Sequence, residues 1–510
     1  MNKIIINGND LSLEDLVKVS RQFEKVELSE EAKEKINTSR DIVDTFVDEE
    51  KVVYGITTGF GKFSDVMINK EESELLQRNL IISHACGVGN PLPEETSRAM
   101  MLLRINALCK GFSGIRLSTV ETLVNMLNQK VHPVVFEKGS LGASGDLAPL
   151  SHMVLPMLGL GEAFFNGERM SGADAMAKAG VDVIALTSKE GLALINGTQC
   201  MTAVGALTVY DAVNLFKTAD IVAGLTFEAL NGITTALDNR VMTARPHQGQ
   251  INSAINILKI LEGSKRTTKQ GELRVQDAYT LRCTPQVHGA SKDALRYVIE
   301  KVEIEMNSAT DNPLIFPDTN EAISSGNFHG QVMALAFDFL GIAVAEIANI
   351  SERRLERLVN PALSNLPAFL TKRGGLHSGF MIVQYSAAAL VSENKVLAHP
   401  SSVDSIPSSA NQEDHVSMGT IGARKAKDIL ENTRKVLAME MLAACQGIDV
   451  SETQNDLGKA TKVAYDLLRE VSATIDEDIV MYYQINNSEN LIISNKIVEQ
   501  VEQLIGEINI

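Results

Sequence analysis

The chain is organised around the stretch Gly139-Ser140-Leu141-Gly142-Ala143-Ser144-Gly145-Asp146-Leu147-Ala148-Pro149. At its centre, the amide nitrogen of Gly145 can attack the carbonyl carbon of Ala143 and close a five-membered ring. Loss of one water from that ring, and of a second from the hydroxyl of Ser144, leaves an exocyclic methylidene. Gly145 suits this attack because it has no Cβ to hinder its nitrogen. The tripeptide therefore predicts an electrophile made from the chain itself.

The same three residues have a simpler interpretation. Ala, Ser and Gly are common amino acids, so the bare tripeptide also arises by chance. Taken alone, it is better explained as a turn, or as a helix start with Ser144 as N-cap and Asp146 in the first turn. The surrounding sequence has to decide between the two.

Charge and composition exclude several classes of function. The chain has 510 residues and a net charge of −17, which argues against nucleic acids or anionic membranes as partners. Aromatic residues make up only 5% of the chain, and Trp is absent. Because Ala, Leu, Ile and Val carry the apolar content, the composition favours packed helices.

The cysteines and histidines predict neither disulfides nor a metal site. An odd number of widely spaced cysteines provides no disulfide framework and no paired metal knuckle, and the histidines lack zinc-type spacing. The five cysteines are Cys86, Cys109, Cys200, Cys283 and Cys445. A reducing cytoplasm is the simplest location. We also expect no signal peptide, and no uncharged apolar stretch approaches the length of a membrane span.

A glycine loop precedes the first long helical pattern. Residues 54–62 read Tyr-Gly-Ile-Thr-Thr-Gly-Phe-Gly-Lys, but the spacing fails the phosphate-loop test because Ile56 stands where that motif needs Gly. We interpret the segment as a loop that presents Tyr54. The alternative for Tyr54 is a half-buried packing residue, which is the commoner case for tyrosine.

The hydrophobic pattern predicts a mainly α protein in two parts. Helices are expected over 71–83, 97–109 and 117–129, and a small hairpin over 162–169 with Asn166-Gly167 as its turn. Residues 1–195 form the predicted N-terminal domain, and residues 196–510 a long-helix bundle with peripheral C-terminal helices. The pattern over 330–358 is apolar almost all round to Ile350, which predicts a helix buried in a bundle. Segments 380–397 and 418–445 repeat this character.

Four polar segments separate the helices and are too organised to be plain loops. They span residues 276–282, 310–314, 325–330 and 409–415. In helical bundles, polar residues at helix starts and loops are where a site is expected. A non-catalytic helical scaffold explains the long helices equally well.

The segment from Gly139 to His152 resembles the signature of the aromatic amino acid ammonia-lyases and aminomutases. Residues 51–65, 77–89, 188–192 and 408–419 are similar to the same family, in order, and closest to its bacterial histidine-specific members. The resemblance implies a fumarase/aspartase-like fold, with a central bundle of long helices and a smaller N-terminal domain that carries the prosthetic group. It also implies a homotetramer with shared active sites. The implied prosthetic group is 4-methylidene-imidazol-5-one, formed autocatalytically from Ala143-Ser144-Gly145, with no external cofactor and no metal.

The resemblance also implies a role for each site residue. Tyr54 matches the base that removes the β-proton, and its pKa, near 10 in a free side chain, would have to be lowered. Arg282 matches the carboxylate clamp, since a guanidinium forms two parallel hydrogen bonds. Other residues match the surroundings of the prosthetic group and substrate, namely Asn196, Gln276 and Tyr279, or the pocket wall, namely Asn312 and Phe328. Singly, each is also explained as a residue satisfied within the bundle.

Side-chain choice depends on His84 and Glu413. A carboxylate can accept a hydrogen bond from a substrate imidazole, and a second imidazole can orient it. Without the resemblance, Glu413 would be part of a solvated loop and His84 a hydrogen-bonded core histidine. Two residues depart from the histidine-specific pattern: Thr57 stands where Asn is frequent, and Val332 where Pro is usual.

The expected function is elimination of ammonia from L-histidine to give urocanate, the first step of histidine degradation. The alternative keeps the prosthetic group but acts on tyrosine or phenylalanine, as an ammonia-lyase or a 2,3-aminomutase. A non-catalytic scaffold is the alternative from another class. It differs in a measurable way, since ring formation lowers the intact mass by two waters.

Overall fold

The computed structural model describes residues 3–59, 61, 67–68 and 70–510. Within them the chain divides into two units, each assembled from three segments. Unit 1 contains residues up to 207 together with 299–338 and 400–424, and unit 2 contains 208–298, 339–399 and 425–510. The sequence predicted a single division after residue 195, and that division stays a prediction.

Unit 1 begins with short strands alternating with helices. Its elements up to residue 195 are β1 (Ile4–Ile6), α1 (Leu13–Arg21), β2 (Val26–Leu28), α2 (Glu30–Asp48), α3 (Lys70–His84), β3 (Val88–Pro91), α4 (Glu94–Leu108), α5 (Leu117–Asn128), β4 (Val131–Pro133), β5 (Phe136–Lys138), α6 (Leu147–Val154), β6 (Glu162–Phe165), β7 (Glu168–Ser171), α7 (Gly172–Ala179) and α8 (Glu190–Ile195). β1 pairs with β2 in parallel, β3 pairs with β5 antiparallel, and β4, β6 and β7 form an antiparallel sheet in that order. The predicted hairpin is thereby confirmed, and its turn residues Asn166 and Gly167 have the positive φ angles that a tight two-residue turn needs.

Helix α4 forms the core of unit 1. Every residue from Thr96 to Leu108 is buried, including the side chains of Arg98 and Arg104. Buried guanidinium groups need partners, and Arg98 finds them in the carbonyl oxygens of Val19 and Leu127. The starts of α1, α2 and α7 follow the capping rule, since Ser12, Ser29 and Ser171 each accept a hydrogen bond from an amide in the first turn.

Four long helices are seen in the part of the chain that the structure describes. They are α9 (Gln199–Ala229), α13 (Thr284–Met306), α14 (Gln331–Val359) and α17 (Gly419–Val450). The other elements after α8 are α10 (Asn239–Thr243), α11 (Gln248–Ile260), α12 (Tyr279–Arg282), β8 (Leu314–Phe316), β9 (Glu321–Ile323), α15 (Pro361–Ser364), α16 (Met381–Leu397), α18 (Lys459–Val471), α19 (Met481–Ile493) and α20 (Lys496–Ile505). The helices expected over 330–358, 380–397 and 418–445 are thus confirmed as α14, α16 and α17, as are the shorter C-terminal ones, whereas the sequence analysis did not predict α13.

Helix α14 is not buried all round, which corrects the expectation from its sequence. Val332, Leu335, Phe339 and Ile342 are between 41% and 51% exposed, whereas residues such as Ala336 are buried. The exposed residues follow one another at intervals of three and four, so they form a stripe along one face of the helix. Hydrophobicity on every face predicted burial, but only part of the surface of α14 packs against this chain.

Helix α16 departs from the prediction in the same way. Ile382, Tyr385 and Val396 are exposed, whereas Val383 and Ala387 are buried. Helix α14 is long and apolar enough to cross a membrane by length and composition alone, although 67% of its apolar window is buried inside the protein. Its apolar residues are interrupted by Asp338 and Glu346, so it is not the uncharged stretch that the sequence analysis considered.

Candidate active site

A cavity of about 1140 Å³ opens in unit 1 beside Ser144. Its walls come from α3, the loop after β5, α8, the segment after β9 and the loop before α17. The residues that line it are Tyr54, Gly59, Gly61, Ile68, Leu76, Asn79, Leu80, Ser83, His84, Ser144, Leu147, Leu192, Asn196, Asn312, Ser324, Ser325, Phe328, Ser409, Ala410, Gln412 and Glu413. Seven of the residues predicted from the sequence are among them: Tyr54, His84, Ser144, Asn196, Asn312, Phe328 and Glu413.

The backbone at Gly145 is pressed against the backbone at Gly197. The two form a parallel β-bridge, and a Cβ added to Gly145 would lie 2.0 Å from the carbonyl oxygen of Gly197. Gly145 also has a φ of +75°, in the region that favours glycine. A side chain at this position would collide with the backbone of Gly197, so the close approach of the two segments requires glycine at 145.

Asp146 places a buried carboxyl group directly after the tripeptide. It accepts hydrogen bonds from Ser140 Oγ at 2.7 Å, from the amide of Met201 at 2.8 Å and from the hydroxyl of Thr420. Burial raises the pKa of Asp146, and these hydrogen bonds oppose the rise. The three hydrogen bonds hold the carboxyl group of Asp146 in place at the end of the tripeptide.

Glu413 contacts Ser144 although the two residues are 269 positions apart in the sequence. The hydroxyl of Ser144 donates to Oε1 of Glu413 at 3.4 Å, and Ser408 Oγ donates to Oε2 at 3.1 Å. Backbone hydrogen bonds between Ser408 and Glu413 close the loop that carries the carboxylate. The three residues Ser409, Ala410 and Asn411 all have φ between 51° and 66°. Consecutive non-glycine residues in this region are strained, and such strain clusters at functional sites.

His84 is the last residue of α3 and faces the same cavity. Its Nδ1 lies 3.0 Å from Ser83 Oγ. Burial lowers the pKa of His84, while the carbonyl of Leu80 and the charge of Glu413 act in the opposite direction. At neutral pH the ring is therefore uncharged, and it can both donate and accept a hydrogen bond.

Tyr54 lines the cavity, and its pKa is raised, whereas a base would need a lowered pKa. Burial raises its pKa, the Gly61 amide 3.4 Å from its hydroxyl lowers it, and the charges of Glu413 and Asp311 raise it again. The described residues of unit 1 therefore do not supply the expected lowering. Part of the predicted loop, residues 60 and 62–65, lies outside the described residues.

Asn196 and Asn312 are both buried on the cavity wall. Nδ2 of Asn196 donates to Asp311 Oδ1 at 3.3 Å and to the carbonyl of Asn312 at 3.1 Å. Its Oδ1 is buried without a protein partner in the described part of the chain. Asn312 instead uses its Oδ1 to accept from the amide of Ser325 at 2.7 Å. Asn312 thus uses its side-chain oxygen within the wall, whereas the side-chain oxygen of Asn196 has no hydrogen-bond partner among the described residues.

Three predicted site residues belong to unit 2 and do not line this cavity. Gln276 and Tyr279 are exposed, Tyr279 by 69%. The guanidinium of Arg282 lies 4.5 Å from the centre of the Tyr279 ring, and its Nε donates to the carbonyl of Asp277 at 2.9 Å. Tyr279 and Arg282 are thus close to each other.

The two departures from the histidine-specific pattern do not reach the cavity. The hydroxyl of Thr57 donates to the carbonyl of Lys51 at 2.6 Å and accepts from the amide of Val53, so it stabilises its own loop. Val332 is part of the exposed stripe on α14. Sequence reasoning missed Lys189 and Asp311, which lie behind the wall, although both are inside segments it had singled out.

The chain belongs to the aromatic amino acid lyase family, whose model matches residues 11–470. The predicted family, the mainly α fold and the prediction of a carbon–nitrogen lyase are thereby confirmed. Histidine ammonia-lyase of Alkaliphilus oremlandii is 66% identical over 505 residues and covers 99% of each chain. The crystal structure of histidine ammonia-lyase from Trypanosoma cruzi is 43% identical, with a TM-score of 0.92 over 98% of this chain and 95% of that one. The tyrosine aminomutase of Streptomyces globisporus is 36% identical, with a TM-score of 0.96 and full coverage of both chains.

Proposed function

We propose that this protein eliminates ammonia from L-histidine and releases urocanate. The observation that carries the proposal is the position of Glu413, 3.4 Å from the Ser144 hydroxyl and in the same cavity as His84. A carboxylate and a neutral imidazole beside the reacting residue match the two nitrogens of a substrate imidazole. This carboxylate has no comparable partner in the hydrocarbon ring of phenylalanine.

We further propose that Ala143, Ser144 and Gly145 form the 4-methylidene-imidazol-5-one group without outside help. Once formed from these three residues, the group would supply an electrophile that makes the expulsion of ammonia feasible. The glycine backbone at Gly145 and the buried carboxyl of Asp146 support ring formation, because the first leaves the nitrogen unhindered and the second can accept and return protons.

The chain's own residues then bind and orient the substrate. Glu413 accepts the imidazole N–H, His84 orients the imidazole, and Oδ1 of Asn196 accepts a hydrogen bond from the amine. Tyr54 removes the β-proton. Its raised pKa in the described surroundings means that a positive charge has to approach the phenol, and the substrate's own ammonium is one such charge.

The proposed roles of Gln276, Tyr279 and Arg282 depend on the association of subunits. We propose a homotetramer in which these three residues complete the cavity of a neighbouring subunit, with Arg282 holding the substrate carboxylate. The exposed apolar stripe on α14 supports an assembly, since such a surface is costly to leave in water. The five cysteines, all of which lie in the described part of the chain, are free thiols, which supports a cytoplasmic location.

Purified protein offered histidine, tyrosine and phenylalanine separately tests the substrate. We expect an ultraviolet-absorbing product from histidine alone, and product from tyrosine instead would assign the aminomutase-like or tyrosine-specific activity.

The intact mass of the protein tests whether the prosthetic group forms. A mass lower than that of the sequence by two waters, located in the peptide of residues 143–145, is expected, and an unmodified mass would favour the scaffold.

A further inference from the structure

Lys189 and Asp311 form an ion pair behind the cavity wall. The ammonium of Lys189 lies 2.8 Å from Asp311 Oδ2, and the two side chains are 0% and 1% exposed. Lys189 also has a φ of 73°, a backbone conformation that a non-glycine residue adopts at a cost. Buried ion pairs are weak contributors to stability, because desolvation offsets their attraction. A strained and fully buried lysine therefore calls for a role other than stability.

The carboxylate of Asp311 reaches two residues of the cavity. Oδ1 accepts from the backbone amide of Asn312 at 2.7 Å and from Nδ2 of Asn196 at 3.3 Å. Oδ2 is held by Lys189. A single carboxylate thus fixes one side-chain amide and one backbone amide of the wall, and Lys189 fixes the carboxylate.

The orientation of Asn196 follows from these bonds. Its Nδ2 is occupied by Asp311 and by the carbonyl of Asn312, and its own backbone carbonyl accepts from Arg104 Nη1 at 2.7 Å. With both ends of the residue held, Oδ1 is left as an acceptor without a partner among the residues that the structure describes. The next residue, Gly197, contacts Gly145, so the same anchoring extends to the backbone beside Ser144.

We propose that Lys189 and Asp311 are positioning residues, which hold Asn196 and Asn312 in the orientation that substrate binding and elimination require. Neither touches the substrate. They act through the amides that they hold, and the pair serves the reaction whichever aromatic amino acid is the substrate. The inference rests on the proposed function only in that the cavity is where the reaction takes place.

The test compares two buried lysines of the same kind. Lys292 forms an ion pair with Asp220 at 2.6 Å in unit 2, and both side chains are 0% exposed, but neither lines the cavity. Lys189→Met and Lys292→Met each remove one buried charge from such a pair, so both lower the melting temperature. We expect kcat/KM to fall about 10- to 100-fold in Lys189→Met, because Asn196 and Asn312 would no longer be held in place beside the substrate. In Lys292→Met we expect kcat/KM to stay at the wild-type value.

Two further measurements separate positioning from stability. Lys189→Arg keeps the charge and is expected to recover part of the lost kcat/KM, whereas the intact mass stays lower by two waters in all three variants. Equal kcat/KM in Lys189→Met and Lys292→Met, both measured well below their melting temperatures, would overturn the proposal. If Lys189→Met does not fold, Asp311→Asn is compared with Asp220→Asn by the same criterion.

A failure of this positioning proposal can be distinguished from a failure of the proposed function. If wild-type protein turns over tyrosine or phenylalanine rather than histidine, the substrate proposal is wrong, and the same comparison of variants is made with the amino acid that reacts. If the wild type has the unmodified mass and turns over none of the three, both proposals fail together.

Discussion

At the scale of single residues, the proposed function depends on the environment of two side chains on the cavity wall. Glu413 and Tyr54 are more than 350 residues apart in sequence, yet the charge of Glu413 raises the pKa of Tyr54. The carboxylate that suits a substrate imidazole therefore opposes the ionisation of the expected base. Both residues have to be tested, because the charge that lets Glu413 bind an imidazole N–H also makes Tyr54 harder to deprotonate.

Glu413→Gln is expected to lower kcat/KM for histidine by about 10- to 100-fold. The reason is that a hydrogen bond to a charged acceptor contributes about 1.5–3 kcal/mol, and the amide replaces it with a neutral one. Steady-state kinetics measure the change. Asp414→Asn is the matched control, since Asp414 is exposed and does not line the cavity. An unchanged rate in Glu413→Gln would remove Glu413 from the imidazole role.

Tyr54→Phe is expected to lower kcat by about 10²- to 10⁴-fold, because a positioned base contributes on that order. The base has to be deprotonated, so the wild-type kcat/KM should rise with pH, and the raised pKa of Tyr54 in the free enzyme puts that rise on the alkaline side of neutrality. A pH–rate profile and the intact mass measure both points. Retained activity in a variant that still lacks two waters would exclude Tyr54 as the base.

At the scale of structural elements, the segments around Ser144 are held by close backbone packing. A Cβ on Gly197 would lie 2.6 Å from the carbonyl oxygen of Thr310 and 2.7 Å from Arg104 Nη1. Gly197 joins α8 to α9 at this point, with a φ of +148°. The approach of these elements to Gly145 therefore requires glycine on both sides.

In Gly197→Ala, most of the protein molecules are expected to lack the prosthetic group. The fold is also expected to be destabilised by about 1–3 kcal/mol or more, because alanine strains the backbone at this position. Intact mass and thermal unfolding measure the two effects. Gly180→Ala provides the control, since Gly180 also has a positive φ of 68° but has open space around its Cβ position. A full loss of two waters in Gly197→Ala would contradict the idea that this packing assists ring closure.

At the scale of the whole molecule, the exposed apolar stripe on α14 is the feature that a single chain leaves unexplained. Phe339 and Leu335 lie on this stripe. Phe339→Glu is expected to convert the proposed tetramer into smaller species and to abolish turnover, because a buried charge is costly and Arg282 would no longer complete a neighbouring cavity. Sedimentation at several protein concentrations measures the change.

The control for this prediction is Val241→Glu, at an exposed residue of α10 outside the stripe. It should leave both assembly and turnover as in the wild type. If Phe339→Glu remains a fully active tetramer, α14 is not an interface. If the wild type is an active monomer, the shared-site proposal fails as a whole.

The sequence by itself determined the family and the helical class, because these depend on local residue order. The residue order around Ala143-Ser144-Gly145 marks the family signature, and hydrophobic periodicity marks a helix without knowledge of its neighbours. The same periodicity failed at α14, since it reports that a face is apolar and not what covers that face.

Only the tertiary structure decided which distant residues meet. It brought Glu413 to Ser144, joined Lys189 to Asp311 behind the wall, and gave Tyr54 a pKa opposite in direction to the one expected. These results depend on burial and on distances between residues far apart in the chain. Burial and charge act through space, so neither spacing nor composition contains them.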